Sequence, residues 1–320
     1  MHDELLDAWD LPHPRTVAQA SRGINNESWF VDSDAGQHVL RVYAHDRLEP
    51  IRFEHELLAW LAVDGELPFA TPLPLATTAG DTVAIAATAR GPRPAALFGR
   101  LPGDHVNDDD VRSVARGGEA LARLDVALAR RGRGDTREPS FTGDLTAVHP
   151  AVLSLEALDR EIGPAAAVLL VRAAEDAGPL RASLPRQITH GDFGFGNLLV
   201  VDGRVSALLD FEFSGWDARA ADLATGLALV LSKGTGERLW RPFLRAYLGV
   251  LRFDPIEIAA LPALMRLHEA VAVVWWAGRV REGLSPDSEN VRHADRALAL
   301  DRWLEANGHD LVAEALLAIR

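Results

Sequence analysis

The sequence has no cysteine among its 320 residues. That excludes disulfides, thiolate metal sites and cysteine nucleophiles. Lysine is almost absent too, with Lys233 the only one, so the basic residues are nearly all arginine. Net charge is −13, which argues against a general binder of nucleic acid or of an anionic membrane and leaves a cationic substrate or a metal–nucleotide complex open. The longest apolar runs, such as LATGLALVL at 223–231, fall far short of a membrane span. The acidic start MHDELLDAWD lacks the basic and apolar regions of a signal peptide, and a cytoplasmic protein is expected.

Several catalytic signatures are also missing. No G-x-x-x-x-G-K-[ST] occurs, so a P-loop is excluded, and no G-x-G-x-x-G follows a strand as a Rossmann fold requires. His55-Glu56 and His268-Glu269 begin H-E pairs without the second histidine of a zinc protease. No G-x-S-x-G marks an esterase elbow. There is no internal repeat and no low-complexity tract.

What is present reads as a soluble globular chain, 48% hydrophobic and 25% charged, long enough for one large domain or two modest ones. ESWFVDS (27–33) and QHVLRVY (37–43) predict two strands joined by a turn at Asp34–Gly36. RFEHELLAWLAVDG (52–65) has helical apolar spacing with Gly65 as its stop. Residues 71–89 predict two more strands around Gly80, and GPRPAALFGRLPG (91–103) predicts a junction. Helices are expected over 111–132, 152–162 and 164–177 with a loop at 132–146, then a strand at 205–213, and helix throughout from 217. The outline is an α+β fold with a nucleotide-binding lobe over residues 1–95 and a larger, mostly helical lobe over 96–320.

The chemistry concentrates in ITHGDFGFGNLLV (188–200) and in Asp210-Phe211-Glu212. Asp192 and Asn197 lie five positions apart, and thirteen positions separate Asn197 from Asp210. The intervening LLVVDGRVSALLD fits a hairpin turning at Asp202-Gly203, which would return Asp210 toward Asn197. Oxygen ligands of this kind suit Mg²⁺, which keeps waters and substrate phosphates in its remaining positions. An aspartate that is not a ligand could take the proton of an attacking hydroxyl, the division of labour of protein-kinase-like phosphoryl transfer. The glycines let the backbone bend, with Phe193 and Phe195 packing the loop and His190 bracing it.

On HGDFGFGNLLV and LLDFEFSGWDARAADLA (208–224), the chain resembles the aminoglycoside phosphotransferase and homoserine kinase type II superfamily. That resemblance implies a protein-kinase-like two-lobe fold, with a small N-terminal β-sheet lobe and a larger helical C-terminal lobe, and ATP and Mg²⁺ as cofactors. By the same resemblance Asp192 is the catalytic base, Asn197 and Asp210 are the metal ligands, and Asp222 ties down the catalytic loop. SRGINNESWFV (21–31) looks like the nucleotide-covering loop, implying nucleotide contacts from Asn25 and Ser28. Arg41 stands where the family has a phosphate-contacting lysine; it keeps the charge but is not interchangeable with lysine. Its partner is Glu54, with Glu56 the competing choice.

The implied acceptor is the hydroxyl of a small molecule. LPALMRLHEAVAVVWWAGRVREGL (261–284) puts His268, Trp275, Trp276 and Arg279 one or two turns apart, so several could share a face. Trp216 and Asp217 lie nearer the expected acceptor hydroxyl. A homoserine-like amino alcohol would need a cation for its carboxylate. An aminoglycoside would need a wide acidic groove, to which VNDDDV (106–111) could contribute, although that segment also reads as a helix cap. A nucleotide-binding regulator without turnover is the reading of another class.

Overall fold

The computed structural model describes residues 2–20, 25–106, 108–133 and 144–320. Two compact units emerge: Met1–Asp104 with Leu199–Glu212, and His105–Leu198 with Phe213–Arg320. The expected boundary at 95/96 falls inside a strand, and the chain returns to the first unit for the segment that ends in Asp210 and Glu212. Most of the loop expected at 132–146 lies outside the described residues.

The first unit is built on a five-stranded antiparallel sheet ordered β1–β2–β3–β5–β4, with β1 Thr16–Gln19, β2 Glu27–Ser33, β3 Gly36–Val42, β4 Ala84–Thr88 and β5 Gly91–Gly99. Alternation decides its faces. Trp29, Val31, Leu40, Val42, Ala95 and Leu97 are buried together with Leu6, Trp9 and Leu11 of the N-terminal segment, where α1 (His2–Leu6) lies. On the opposite face Ser28 pairs with Arg41, and Arg41 with Ala96. The β2–β3 turn closes on Ser33 and Gly36, with Gly36 at φ 112°. Helix α2 (Leu48–Asp64) stops at Gly65.

Two expectations fail here for one reason, proline. Residues 71–80 form no strand of their own: Pro72 and Pro74 interrupt the run, leaving a single bridge from Pro74 to Phe98. The Pro-rich 91–99 segment is not a junction but the interior strand β5. Pro92 and Pro94 are tolerated because β3 pairs with β5 only from Ala95 onward, so their missing N–H groups fall beyond the end of β3. A second sheet is ordered β6–β8–β9, with β6 Asp104–His105, β8 Leu198–Val201 and β9 Arg204–Leu208. The β8–β9 turn is Asp202–Gly203, at φ 49° and 69°, the paired positive angles of a type I′ hairpin.

The second unit is helical: α3 Val111–Arg131, α4 Asp159–Ile162, α5 Pro164–Ser183, α6 Ala220–Leu231, α7 Gly236–Leu248, α8 Pro255–Arg281 and α9 Ser288–Ala318. Asp110 caps α3 by accepting from Ser113 N at 2.9 Å. The helix expected over 152–162 is only a 3₁₀ turn (Glu156–Leu158) and the four-residue α4; Gly163 at φ 83° ends it and Pro164 restarts the chain as α5. Residues from 217 do not begin as helix. Strand β10 (Gly215–Ala218) pairs antiparallel with β7 (Arg186–Thr189), with Gly215 opposite Thr189. Among the described helices α8 alone is long and apolar enough to cross a membrane, contrary to the expectation from uninterrupted runs, because its charges are spaced out. Much of that apolar surface is core: Leu267, Ala270, Val273, Val274 and Ala277 join Leu169, Leu170 and Ala173 of α5 and Ala294 and Ala297 of α9.

Candidate active site

In the second unit β7 delivers the HGDFGFGN loop. Two backbone amides at its start converge on Asp222, at the N-terminus of α6: His190 N donates to Oδ2 at 2.6 Å and Gly191 N to Oδ1 at 2.9 Å. Ser214 Oγ donates to the His190 carbonyl at 3.2 Å, and the wholly buried His190 accepts from Asp192 N at 3.3 Å through Nδ1. Asn197 Nδ2 donates to the Asp192 carbonyl at 3.1 Å. The loop is thus held through its main chain, with the half-buried Asp192 carboxylate playing no part in those bonds.

Aromatic packing anchors the far side of the loop. Phe193 and Phe195 are buried and meet edge to face at 5.8 Å, each lying about one ring width from Phe243 of α7, at 5.9 and 6.1 Å. Glycines let the helices approach: a Cβ on Gly117 would come 2.6 Å from the Phe195 ring, and one on Gly226 2.4 Å from Phe243. Gly191 is constrained twice, by φ 81° and by the Phe213 carbonyl oxygen 2.4 Å from where its Cβ would stand. Gly191→Ala is therefore expected to lower stability by ~1–3 kcal/mol and to depress turnover with it, as thermal melting and kcat would report together; an unchanged melting temperature would contradict the assigned strain.

The first unit carries a charged cluster of its own. Arg41 donates to Glu54 Oε1 at 3.0 Å and lies 3.4 Å from Asp210 Oδ1, its guanidinium stacked 5.4 Å over Phe98. Glu54, 2% exposed on α2, is thereby the partner, and the exposed Glu56 is not. Burial opposes the Arg41 charge, but Asp210 and Glu54 outweigh it and hold the guanidinium above its ordinary value. Burial also lifts Glu54 to about 7, Arg41 opposing and Glu212 and Asp210 adding to the rise. Tyr43 hydroxyl donates to Glu54 Oε2 at 3.3 Å.

Sequence alone places Glu212 in the D-F-E triplet without a role and gives Asn26 none, yet the two are joined in the structure. Asn25 Nδ2 and Asn26 Nδ2 donate to the two oxygens of Glu212 at 2.8 and 2.6 Å, and Asn26 Oδ1 accepts from Ala44 N at 3.1 Å. The D-F-E triplet and the doubled Asn were the available signal. The glycine of the covering loop, Gly23, lies outside the described residues. Ser28 stands opposite Arg41 in the β2–β3 ladder, on the same face of the sheet. Asp210 has φ 69°, unusual for a residue with a side chain, and its buried Oδ1 accepts no hydrogen bond. Three carboxyls thus crowd one guanidinium. That concentration of negative charge, with Asp210 Oδ1 held only by its 3.4 Å ion pair to Arg41 and by no hydrogen bond, fits a hard divalent cation brought in with phosphates. Among the described residues no cluster of three His, Asp or Glu side chains makes a metal cage on its own.

The proposed acceptor residues separate into two groups. Asp217 is buried in a bidentate ion pair with Arg181 and also accepts from Ala218 N, so its carboxylate is committed to the fold. Trp216 lends its carbonyl to Arg186 at 2.6 Å. On α8, His268, Trp275 and Arg279 lie along one stripe of the helix, while Trp276, about 100° from Trp275, stacks on His293 at 4.7 Å and has the Arg279 guanidinium 5.5 Å over its ring. His268 meets Thr225 Oγ1 at 3.2 Å, and burial with the Arg296 charge pushes its pKa down to about 3. Trp275 lies edge-on to Phe213 at 5.7 Å and to His149 at 5.2 Å. Arg279, 9% exposed, donates to Ser285 Oγ at 3.2 Å and has no carboxylate within 4.0 Å among the described residues. Burial lowers its pKa, with only a partial offset from Glu282.

Comparison with known proteins is consistent with this geometry. The homoserine kinase of Rhodospirillum rubrum is 31% identical over 274 residues, covering 82% of this chain and 79% of that one. The homoserine kinase of Methylobacillus flagellatus is 26% identical, covering 98% and 94%. Among solved structures, the microcompartment-associated aminopropanol kinase superposes with TM-score 0.71 at 19% identity, covering 97% of this chain and 98% of that one. An aminoglycoside phosphotransferase in ternary complex with ADP and hygromycin B gives 0.62 at 16%, covering 94% and 97%. The fold is the protein-kinase-like fold of small-molecule kinases. A family profile matches residues 16–261, about three quarters of the sequence, and the chain belongs to the phosphotransferase enzyme family.

Proposed function

We propose that the protein is an ATP- and Mg²⁺-dependent kinase whose acceptor is the hydroxyl of a small, carboxylate-bearing amino alcohol of the homoserine type. Asp192 takes the acceptor proton. Asn197, whose amide nitrogen is already committed to the Asp192 carbonyl, offers its oxygen to the metal, and Asp210 offers its carboxylate, whose Oδ1 accepts no hydrogen bond. Mg²⁺, when bound, neutralises charge on the phosphates and orients the γ-phosphoryl group. Arg41, steadied by Glu54, contacts the nucleotide phosphates, with Asn25 and Ser28 on the covering segment.

The observation that carries the choice of acceptor is Arg279, a buried guanidinium that lies 5.5 Å over the Trp276 ring and has no anionic partner among the described residues. It stands in the same stripe of α8 as Trp275, whose ring abuts Phe213, and the Phe213 carbonyl touches the catalytic loop at Gly191. A buried cation without a counter-ion is costly, and a substrate carboxylate would complete it bidentately. The aminoglycoside reading is weaker. Asp108 pairs with Lys233, Asp109 accepts from Thr235 Oγ1, and Asp110 caps α3, so the acids expected to line a cationic groove are already engaged. The names of the homoserine kinase relatives support the same choice.

The test is ADP release measured with homoserine, 3-aminopropan-1-ol (the same skeleton without its carboxylate), aminoglycosides and choline. Homoserine is expected to be preferred. Arg279→Ala is expected to cost homoserine 10- to 100-fold or so in kcat/KM, the scale of a lost charge-assisted contact, while leaving 3-aminopropan-1-ol unchanged. Equal losses on both acceptors would show that Arg279 does not read a carboxylate.

A further inference from the structure

Behind the catalytic loop lies a group of titratable side chains that phosphoryl transfer itself does not use. Asp125 of α3, Asp222 of α6 and Tyr247 of α7 are each fully buried. Asp125 interrupts the apolar stripe Leu121, Leu124 and Leu128, all of them fully buried. Tyr247 donates to Asp125 Oδ2 at 2.5 Å, and Gln187 Nε2 donates to the Asp125 carbonyl at 3.1 Å. The Asp125 and Asp222 carboxyls lie close enough to act directly on each other.

Two ionised carboxylates cannot share a dry contact, so one must hold a proton. Donor counting shows which. Asp222 accepts the His190 and Gly191 amides, and both bonds favour its charged form. Asp125 has only the Tyr247 hydroxyl, and its Oδ1, buried, accepts from no donor. We propose that Asp125 is a neutral carboxylic acid whose hydroxyl hydrogen-bonds Asp222, making it the positioning residue that keeps Asp222 anionic and aimed at the two loop amides. Burial followed by the Asp222 charge raises Asp125 well above the ordinary carboxylate range, in agreement with this assignment. The other groups acting on the pair are His190 in the loop, Tyr247 on α7 and Arg219 beside α6, the last bonded to Glu257.

Three variants test the assignment. Asp125→Asn can still donate to Asp222 and accept from Tyr247; it is expected to keep kcat within about threefold. Asp125→Ala loses the donor, and kcat is expected to fall ~10-fold or more, the scale of one buried charge-assisted bond, with KM for nucleotide unchanged. Tyr247→Phe is expected to fall between them. A readout independent of catalysis is the infrared difference spectrum at neutral pH, wild type minus Asp125→Asn, in which one protonated-carboxyl stretch should be lost while that of the part-protonated Glu54 remains in both. An unchanged spectrum in Asp125→Asn, or a kcat as low as that of Asp125→Ala, would overturn the proposal. The infrared result stands even if Asp192 proves not to be the base.

Discussion

Replacing Asp192 by Asn is expected to leave Mg·ATP binding close to wild type and to cut kcat by ~10²–10⁴, the usual worth of a positioned general base. The structure makes this substitution unusually clean. Two of the bonds that hold the loop near this residue use its backbone rather than its carboxylate: Asp192 N donates to His190 Nδ1, and Asp192 O accepts from Asn197 Nδ2. The loop is fixed further back by the two amides on Asp222 and by the Phe193–Phe195–Phe243 cluster. An asparagine keeps these backbone bonds and the side-chain volume, and removes the basicity. Single-turnover phosphoryl transfer with calorimetric nucleotide binding separates the two quantities. Turnover within a few-fold of wild type would remove Asp192 from the role of base, and a parallel loss of nucleotide affinity would reassign it to the metal.

Local patterns showed through where the sequence element is self-sufficient. The β2–β3 hairpin carries its own alternation and its own turn, and ESWFVDS is β2 from end to end. The β8–β9 hairpin likewise declares itself in Asp-Gly. Signals failed where a distant partner decides. Pro92 and Pro94 read as a junction because the sequence does not reveal that β3 ends at the level of Ala95. The choice between Glu54 and Glu56 turns on which side of α2 is buried, and two acidic positions separated only by His55 leave that open until packing is known. Asp217 looked available for substrate because Arg181 lies 36 residues away in sequence, yet the two make a buried pair. Asp125 did leave a trace, an acid at the i, i+4 position of a leucine stripe, although its meaning depends on Asp222 and Tyr247.

Asp210→Ala is the second large effect, and its signature is a loss of linkage to the metal rather than a loss of fold. Asp210 makes no hydrogen bond through its buried Oδ1, and it adds to a cluster in which the charges of Asp210, Glu54 and Glu212 all act on Arg41. Removing it relieves repulsion on Glu54 and Glu212, whose pKa values it helps to raise. The main cost to the unliganded protein is a residue at φ 69° that is now alanine, so Asp210→Asn, with a side chain that tolerates this conformation, serves as the control for backbone strain. Both variants are expected to melt near the wild-type temperature without ligand. Wild type should then gain stability with Mg·ATP, as any ligand that binds only the folded state confers, and the variants should gain little. Outer-shell changes at metal sites commonly cost 10–100-fold, so losing a direct ligand should lower kcat/KM by at least ~100-fold. If Mg²⁺ still tightened ATP binding to Asp210→Ala as it does to wild type, the metal would have to be held elsewhere, and Glu212, two residues on and within the same acidic cluster, would be the next carboxylate to test.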